Sequence, residues 1–358
     1  MSHAVRPDAS GHQPVMFDTT SRLVAIIIGV LAVIAGLVVG INNPLLNNAA
    51  GREGSRIDQL FSLTLGIATV VFVLVQGFLL YSIVRFGQQP GDDTDGPPVR
   101  GNTRLEFFWT LIPAVTIFFV GFVSYATLAN IEQPAGDEVV VEVKAFQFAW
   151  QFYYPEYDVT SAELHAPIDR QLHLKLRSND VVHSFWVPAM RIKKDAMPDR
   201  VTETYITPTE TGSYPIVCTE LCGAGHAVMR SQMVVQSDAD FRGWIAGQQK
   251  IATQAAAGVS DPLAKGRQVF NSSGCNACHI LKDAGAAGVV GPNLDGIGTA
   301  AAGREPGKSA EEYIHQSIVK PNEFVVQGYP ANVMPQDYGQ RLAEPDLDAL
   351  VKYLTEMK

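Results

Sequence analysis

Apolar and polar positions follow three rhythms along this chain, each in its own stretch. The first is unbroken apolarity: residues 23–41, 60–84 and 107–128 carry no charged side chain. A helix of about 20 residues crosses a hydrocarbon core, so each run predicts a membrane span. The second rhythm starts after residue 131 and has a period of two. Residues 138–144 and 171–177 alternate polar and apolar or are densely β-branched, and 201–206 and 233–235 continue the pattern. Short strands separated by Gly, Pro and Asp turns predict a β-sandwich or barrel over 132–245. Residues 246–260, rich in Ala and Gln with little apolar patterning, read as a linker. From Asp261-Pro262 the pattern turns amphipathic and helical, and it closes on a last helix over 344–357.

The first apolar run is open to two readings. Arg6 and Arg22 precede it and Asn47-Asn48-Ala49-Ala50 follows, as in a cleaved signal peptide. Its length exceeds the roughly 7–15 residues of a signal core, and Asn suits the −3 position of a cleavage site poorly, so a retained anchor is preferred. Arg85, Arg100 and Arg104 flank the second and third runs, which makes the irregular loop 87–101 cytoplasmic and puts everything beyond Leu128 outside. Glu106 lies where the third run enters the membrane. It is either a solvated helix end or part of a proton path.

Charge narrows the choice of partners. The net charge is −9, with 16 acidic against 11 basic residues in 132–260 and 12 against 9 in 261–358. This excess argues against nucleic acid and suits a partner with a basic face. The four cysteines, 218, 222, 275 and 278, form two close pairs with none left over. A disulfide scaffold would scatter them across a small chain, so metal or cofactor chemistry is the better reading.

The first pair sits in Cys218-Thr219-Glu220-Leu221-Cys222-Gly223-Ala224-Gly225-His226-Ala227-Val228-Met229. Thiolate, imidazole and thioether together select copper. A mononuclear electron-transfer site needs one cysteine, so two predict thiolates bridging two copper ions. A disulfide would leave His226 and Met229 unexplained, and structural zinc rarely recruits methionine. One more histidine is required. His183, followed by Ser184-Phe185-Trp186, is preferred over His165, in a turn before Ala166-Pro167, and over His173, which alternates with leucines on a strand.

With His183 in place, most of residues 55–236 resembles subunit II of the haem–copper cytochrome c oxidases, with a double-helix anchor, a cupredoxin-like domain and the dinuclear CuA centre. The resemblance implies His183, Cys218, Cys222, His226, Met229 and the Glu220 carbonyl as copper ligands, and the Glu220 carboxylate as a magnesium ligand shared with subunit I. It sets Asp195 and Arg200 at the subunit I interface and makes Glu106 a carboxylate at a proton-channel mouth. The family's aromatic Gln-Trp-x-Trp stretch, whose first tryptophan takes electrons from cytochrome c, is here Gln147-Phe148-Ala149-Trp150. Phe148 therefore stands at the electron-accepting position and Trp150 matches the second tryptophan. This departure puts the usual docking of a free cytochrome c in question.

The second pair, Cys275-Asn276-Ala277-Cys278-His279, has the spacing of covalent haem c attachment, with His279 as the proximal ligand. Gly291-Pro292-Asn293-Leu294 follows, and Val333-Met334-Pro335 precedes the last helix, an order that resembles class I cytochrome c domains. Met334 is the expected sixth ligand, with Met357 and His315 as alternatives. A methionine ligand raises the haem potential.

The expected protein is therefore multi-domain: a transmembrane hairpin with a possible extra N-terminal helix (1–131), a cupredoxin-like CuA domain (132–245), a linker (246–260) and an all-α cytochrome c domain (261–358). It resembles the caa-type oxidases, in which subunit II carries its own cytochrome c. The resemblance implies a multi-pass protein of the bacterial cell membrane, with both redox domains outside. It implies partnership with subunits I and III and an external donor such as a cytochrome or small copper protein. Oxygen reduction and proton pumping would belong to subunit I. The CuA subunit of a membrane nitric oxide reductase and a non-catalytic anchored electron carrier are the rival readings.

Overall fold

The computed structural model describes residues 19–43, 45–46, 49–87, 101–257 and 263–358. Arg6, Asn47-Asn48, most of the 87–101 loop with Arg100, and Asp261-Pro262 lie outside the described residues. The described residues divide into two compact units, one within 19–46 and 57–127, the other within 49–56 and 128–358.

The three apolar runs lie inside helices α1 (Thr19–Asn42), α2 (Arg52–Phe86) and α3 (Thr103–Ile131). All three are long and apolar enough to cross a membrane. Helices α1 and α2 meet through small residues: a Cβ on Gly36 would come 2.7 Å from the Gly66 carbonyl oxygen, and one on Gly66 3.0 Å from that of Gly36. Lipid gives apolar helices no hydrophobic reason to associate, so close backbone packing of this kind is what holds them together. The Tyr81 hydroxyl adds a 2.7 Å hydrogen bond to Ser21.

The second unit begins with a β-sandwich. Its strands are β1 (Val139–Phe146), β2 (Ala149–Tyr154), β3 (Val159–Ser161), β4 (Leu164–Pro167), β5 (Leu172–Ser178), β6 (His183–Val187), β7 (Ile192–Ala196), β8 (Thr202–Ile206), β9 (Gly212–Cys218) and β10 (Arg230–Gln236). One sheet has the order β3-β2-β1-β5-β8, the other β4-β10-β9-β6-β7. The period-two pattern decides which side chains go inside. In β1, Val139, Val141, Val143 and Ala145 are fully buried while their neighbours are partly exposed, and Leu172, Leu174 and Leu176 of β5 behave likewise. Strand β1 runs parallel to β5 and antiparallel to β2, and the β1–β2 turn at Gln147-Phe148 falls beside the loop after β9. Residues 49–53 are stitched to the same sandwich. Ala50 N–H donates to the Ala189 carbonyl, Gly51 bridges Pro208, and the buried Glu53 carboxylate accepts from the Thr207 N–H and hydroxyl, both at 2.7 Å.

The segment expected to be a linker is helical as far as it is described: α4 (Asp238–Ala257) runs through 246–257. Ser237 starts it, its hydroxyl accepting from Asp240 N–H at 3.1 Å. Phe241, Trp244 and Ile245 share one helix face. Trp244 stacks flat on His165, with centroids 3.9 Å apart, and packs edge-on against Tyr154.

The remaining helices are α5 (Ala264–Ser272), α6 (Cys275–Cys278), α7 (Ile297–Ala301), α8 (Ala310–Val319), α9 (Tyr338–Arg341) and α10 (Glu344–Thr355). Helices α5 and α10 cross at Gly266, where a Cβ would come 2.2 Å from the Ala349 carbonyl oxygen. Only glycine allows that approach. Phe270, Tyr353, Leu350 and Leu354 fill the crossing.

Candidate functional site

Strand β9 ends at Cys218, and the loop that follows returns to β10 at Arg230. Within it the two thiols face one another at 3.8 Å, unbonded, since a disulfide needs about 2.05 Å. His183, the first residue of β6 and fully buried, turns Nδ1 toward Cys218 Sγ at 3.9 Å. His226 Nδ1 lies 3.5 Å from Cys222 Sγ, Met229 Sδ lies 3.9 Å from the same sulfur, and the Glu220 carbonyl oxygen is 3.3 Å from Cys218 Sγ. All six atoms expected from the sequence are thus gathered in one place. His183, Cys218 and Cys222 are the one metal-capable cluster among the described residues. Donor types and the spacing of the sulfurs suit a copper pair, which these groups would hold.

Electrostatics suit cation binding. Burial opposes ionisation of Cys218, yet hydrogen bonding to His183 and to backbone of Glu220 and Ser184 wins and lowers its pKa. Cys222 is pushed up, by burial first and then by the Cys218 charge; a cation held by both cysteines would supply the opposite charge that favours its thiolate. Burial also works against charge on His183, but Cys218 and Asp180 hold its pKa above the ordinary imidazole value.

The aromatic stretch lies against this loop. Phe148 is buried rather than exposed, and its ring touches the copper loop so closely that a Cβ on Gly225 would come 2.4 Å from it and one on Gly223 3.0 Å. Trp150 is buried too, edge-on to His183 at 6.2 Å and to Phe185 at 5.5 Å, with its indole N–H unpaired. On its other side the turn meets the helical domain. Gly274 approaches the Phe146 ring, and Val290, Val333 and Cys278 join the apolar cluster that holds Phe148 and Cys222.

The haem motif occupies an apolar pocket. Cys275 and Cys278 are the first and last residues of α6, and His279 follows in extended backbone. His279 Nδ1–H donates to the Pro292 carbonyl at 2.8 Å, which leaves Nε2 for iron, and burial depresses its pKa so that it stays neutral. Gly291 makes this possible, because a Cβ there would lie 2.5 Å from the His279 ring. Phe270, Ile314, Phe324, Leu350 and Met334 line the same pocket. Met357 and His315 do not. Met357 offers its backbone carbonyl to Gly298 N–H, and His315 is exposed on α8. The residues fit a covalently held haem: Cys275 and Cys278 would attach it, and His279 and Met334 would be available to its iron.

The other sequence candidates lie elsewhere. His165 stacks under α4 and His173 pairs with Glu203 at 2.8 Å, both away from the thiols. Glu106 is exposed in the first turn of α3, where its carboxylate accepts from the Asn102 N–H at 3.1 Å and helps cap the helix. The Glu220 carboxylate and Arg200 are exposed, and Asp195 accepts from the Ser184 hydroxyl at 2.7 Å. Two residues beside the ligands were not anticipated, Asp180 and Gln147. Asp180, three residues before His183, binds His183 Nε2 at 2.7 Å. Acidic spacing to a ligating histidine was the signal that could have found it.

Apolar helices, a sandwich with facing thiols and a helical domain bearing a C-x-x-C-H turn define a membrane-anchored redox protein with two centres. Known proteins make the class specific. The family models for the transmembrane and periplasmic domains of cytochrome c oxidase subunit II match residues 37–127 and 158–237, and the cytochrome c model matches 263–358. The chain is 32% identical to cytochrome c oxidase subunit 2 of Synechocystis sp. over 66% of its own length and 85% of that protein. It is 29% identical to cytochrome c oxidase subunit 2 of Bacillus subtilis over 92% and 96%, respectively. Among solved structures, the periplasmic domain of subunit II of cytochrome oxidase from Bradyrhizobium japonicum aligns at 25% identity over 33% of this chain and 98% of that one, with a TM-score of 0.32. The chain belongs to the cytochrome c oxidase subunit II family, with a cytochrome c domain fused at its C-terminal side. It is a component of an oxidase complex, partnered in a membrane by subunit I, and does not itself carry the oxygen-reducing site. Membership implies a CuA copper centre and haem c.

Proposed function

We propose that this chain is the electron-accepting subunit of a caa-type terminal oxidase, fed through its own haem domain. The cofactors supply two one-electron redox couples. Cys275, Cys278, His279 and Met334 hold the haem; His183, Cys218, Cys222, His226, Met229 and the Glu220 carbonyl hold the copper pair. Electrons from an external cytochrome or small copper protein arrive at residues 263–358, cross at the Phe146–Phe148 turn to the 218–229 loop, and leave for subunit I. Oxygen is reduced there with proton pumping. The observation that carries this reading is the double contact of that turn, with Phe148 against Gly223 and Gly225 and Phe146 against Gly274. A buried Phe148 supports an internal route over docking of a free cytochrome at that ring.

The finer assignments follow the same reading. Residues beyond 128 face the outer side, α1 is a retained anchor, a reading supported by its close packing on α2, and subunit III completes the complex. Glu220 shares a magnesium ion with subunit I, opposite Asp195 and Arg200, and Glu106 lies at a proton-uptake mouth. The test is anaerobic rapid mixing of the purified complex with a reduced donor. The haem c band should reduce before the near-infrared copper band, and Cys275→Ala/Cys278→Ala should slow copper reduction at least about a hundredfold. Copper reduction at the wild-type rate in that variant would overturn the internal route.

A further inference from the structure

Gln147 is in neither ligand set, yet it touches both sides of the copper site. Its side-chain Nε2 donates to the Cys222 carbonyl at 2.5 Å. Its backbone N–H donates to Asp180 Oδ2 at 2.7 Å. The second oxygen of Asp180 lies 2.7 Å from His183 Nε2 and is further fixed by the Val181 N–H at 2.7 Å and the Ser178 hydroxyl at 3.2 Å. His183 points its other ring nitrogen at Cys218. A single residue thus restrains Cys222 directly and His183 through Asp180.

The loop needs such a restraint. Cys222 is followed by Gly223, whose φ of +136° suits glycine alone, and Gly225 comes two residues later. These glycines make room for Gln147 and Phe148: a Cβ on Gly223 would lie 2.8 Å from Gln147 Nε2. The same glycines deprive the loop of intrinsic stiffness. A hydrogen bond to the backbone of Cys222 restores it at the residue where the sulfur must be held. Gln147 and Asp180 also line the cavity faced by Asn332, Met334 and Asp337, so the restraint sits beside the loop carrying the haem's methionine.

We infer that Gln147 is a positioning residue for the copper pair, setting the relative placement of Cys222 and His183 by two hydrogen-bond routes that start from one turn. The inference rests on the copper reading of the preceding section. Partners that orient metal ligands are worth about 10–100-fold in affinity or activity when removed, and they tune redox potential.

The test uses the full chain in its purified complex. Gln147→Met keeps length and the backbone N–H but removes the side-chain donor. Gln147→Glu sets a carboxylate oxygen against the Cys222 carbonyl. Asp180→Asn keeps shape and disturbs only the His183 route. Copper retained against a chelator, the near-infrared band, the electron paramagnetic resonance pattern and the copper midpoint potential are read, with the haem c spectrum as internal control. Both Gln147 variants should lose copper at least about tenfold more readily, Glu more than Met, with a moved band and potential and an unchanged haem c spectrum. Asp180→Asn should move the potential with the Cys222 contact intact, and it tests the second route even if the Gln147 variants misfold. Variants indistinguishable from a wild type that shows the band would overturn this inference alone. A wild type without the band would overturn the copper reading and this inference with it.

Discussion

At the copper loop the ligands are fixed by hydrogen bonds. His183 is held by Asp180, Cys222 by Gln147, and Cys218 closes the register of β9 with β10 through its own N–H to the Met229 carbonyl. At the haem motif His279 is tethered to the Pro292 carbonyl and the Cys278 carbonyl accepts from the Gly291 N–H, but the walls of the pocket are held by apolar contacts among Phe270, Ile314, Leu350 and Leu354. The contrast follows from the cofactors. Two small ions leave the protein to supply the whole geometry, so the ligands are placed before the ions arrive. A haem is itself a large apolar body, and its pocket is completed by the group it holds. The two regions should therefore respond in opposite ways when a cofactor is lost.

The largest effect is expected from Cys275→Ala/Cys278→Ala. Without covalent haem the walls of an apolar pocket lose their filling, and α5, α8 and α10 lose the body they pack around. Residues 263–358 should become protease-sensitive and lose most of their helical circular dichroism. The matching loss at the other centre, Cys218→Ser/Cys222→Ser, should abolish the near-infrared band and leave the sandwich resistant. A haem-free domain as resistant as the sandwich would break the contrast.

Next in size is Gly225→Ala. Its Cβ would come 2.4 Å and 2.5 Å from Phe148 ring atoms, so loop or ring must move. Overpacking of this kind costs about 1–3 kcal/mol, read by urea unfolding, and should weaken copper retention as well. In a Phe148→Ala background the Gly225→Ala penalty should largely vanish, because Cγ and Cδ2 are gone. If it does not, the Phe148 ring is not what the glycines accommodate. Met334→Ala should be milder for the fold, because thioethers and His279 still hold the haem. The haem c potential should fall and its methionine-ligated spectrum disappear, while Met357→Leu and His315→Ala change neither.

The same contrast explains what the sequence disclosed. Candidate ligands declare themselves by residue type and spacing, so the grouping of His183 with the 218–229 loop and the Cys275-Asn276-Ala277-Cys278-His279 turn were legible, as were the strands whose alternation sorts Val139 from Val140. Positioning residues do not: Gln147 was visible as part of the Gln147-Phe148-Ala149-Trp150 stretch, but its side-chain contact with Cys222 spans 75 residues of chain and its residue type does not announce it. Helix α4 was lost in the Ala- and Gln-rich composition of 246–260, although Ser237 with Asp240 marked its start and Phe241, Trp244 and Ile245 its buried face. The Glu53 contact with Thr207 links positions 154 apart, and a buried carboxylate at the start of an apolar helix reads from sequence as a solvated one.

The smallest effect asks whether hydrogen bonds matter at all to the haem region. Helix α8 carries Tyr313, Ile314 and Ile318 into the pocket and starts on a capping box, with Ser309 Oγ accepting from Glu312 N–H at 3.2 Å and Glu312 Oε2 accepting from Ser309 N–H at 2.8 Å. The Ser309 backbone N–H, then its hydroxyl, hold the Glu312 carboxyl below its ordinary pKa. A depressed carboxylate contributes stability above its unfolded pKa and loses it as pH falls through the folded one. Ser309→Ala should therefore cost about 1 kcal/mol near neutral pH, with the gap to wild type narrowing below the ordinary carboxylate range, measured by denaturant unfolding of the holoprotein at a series of pH values. A packed pocket tolerates the loss of one cap because its apolar contacts remain. A cost several times larger would mean that α8 is held as the copper ligands are, by polar tethers, and the distinction between the two centres would reduce to one of cofactor size.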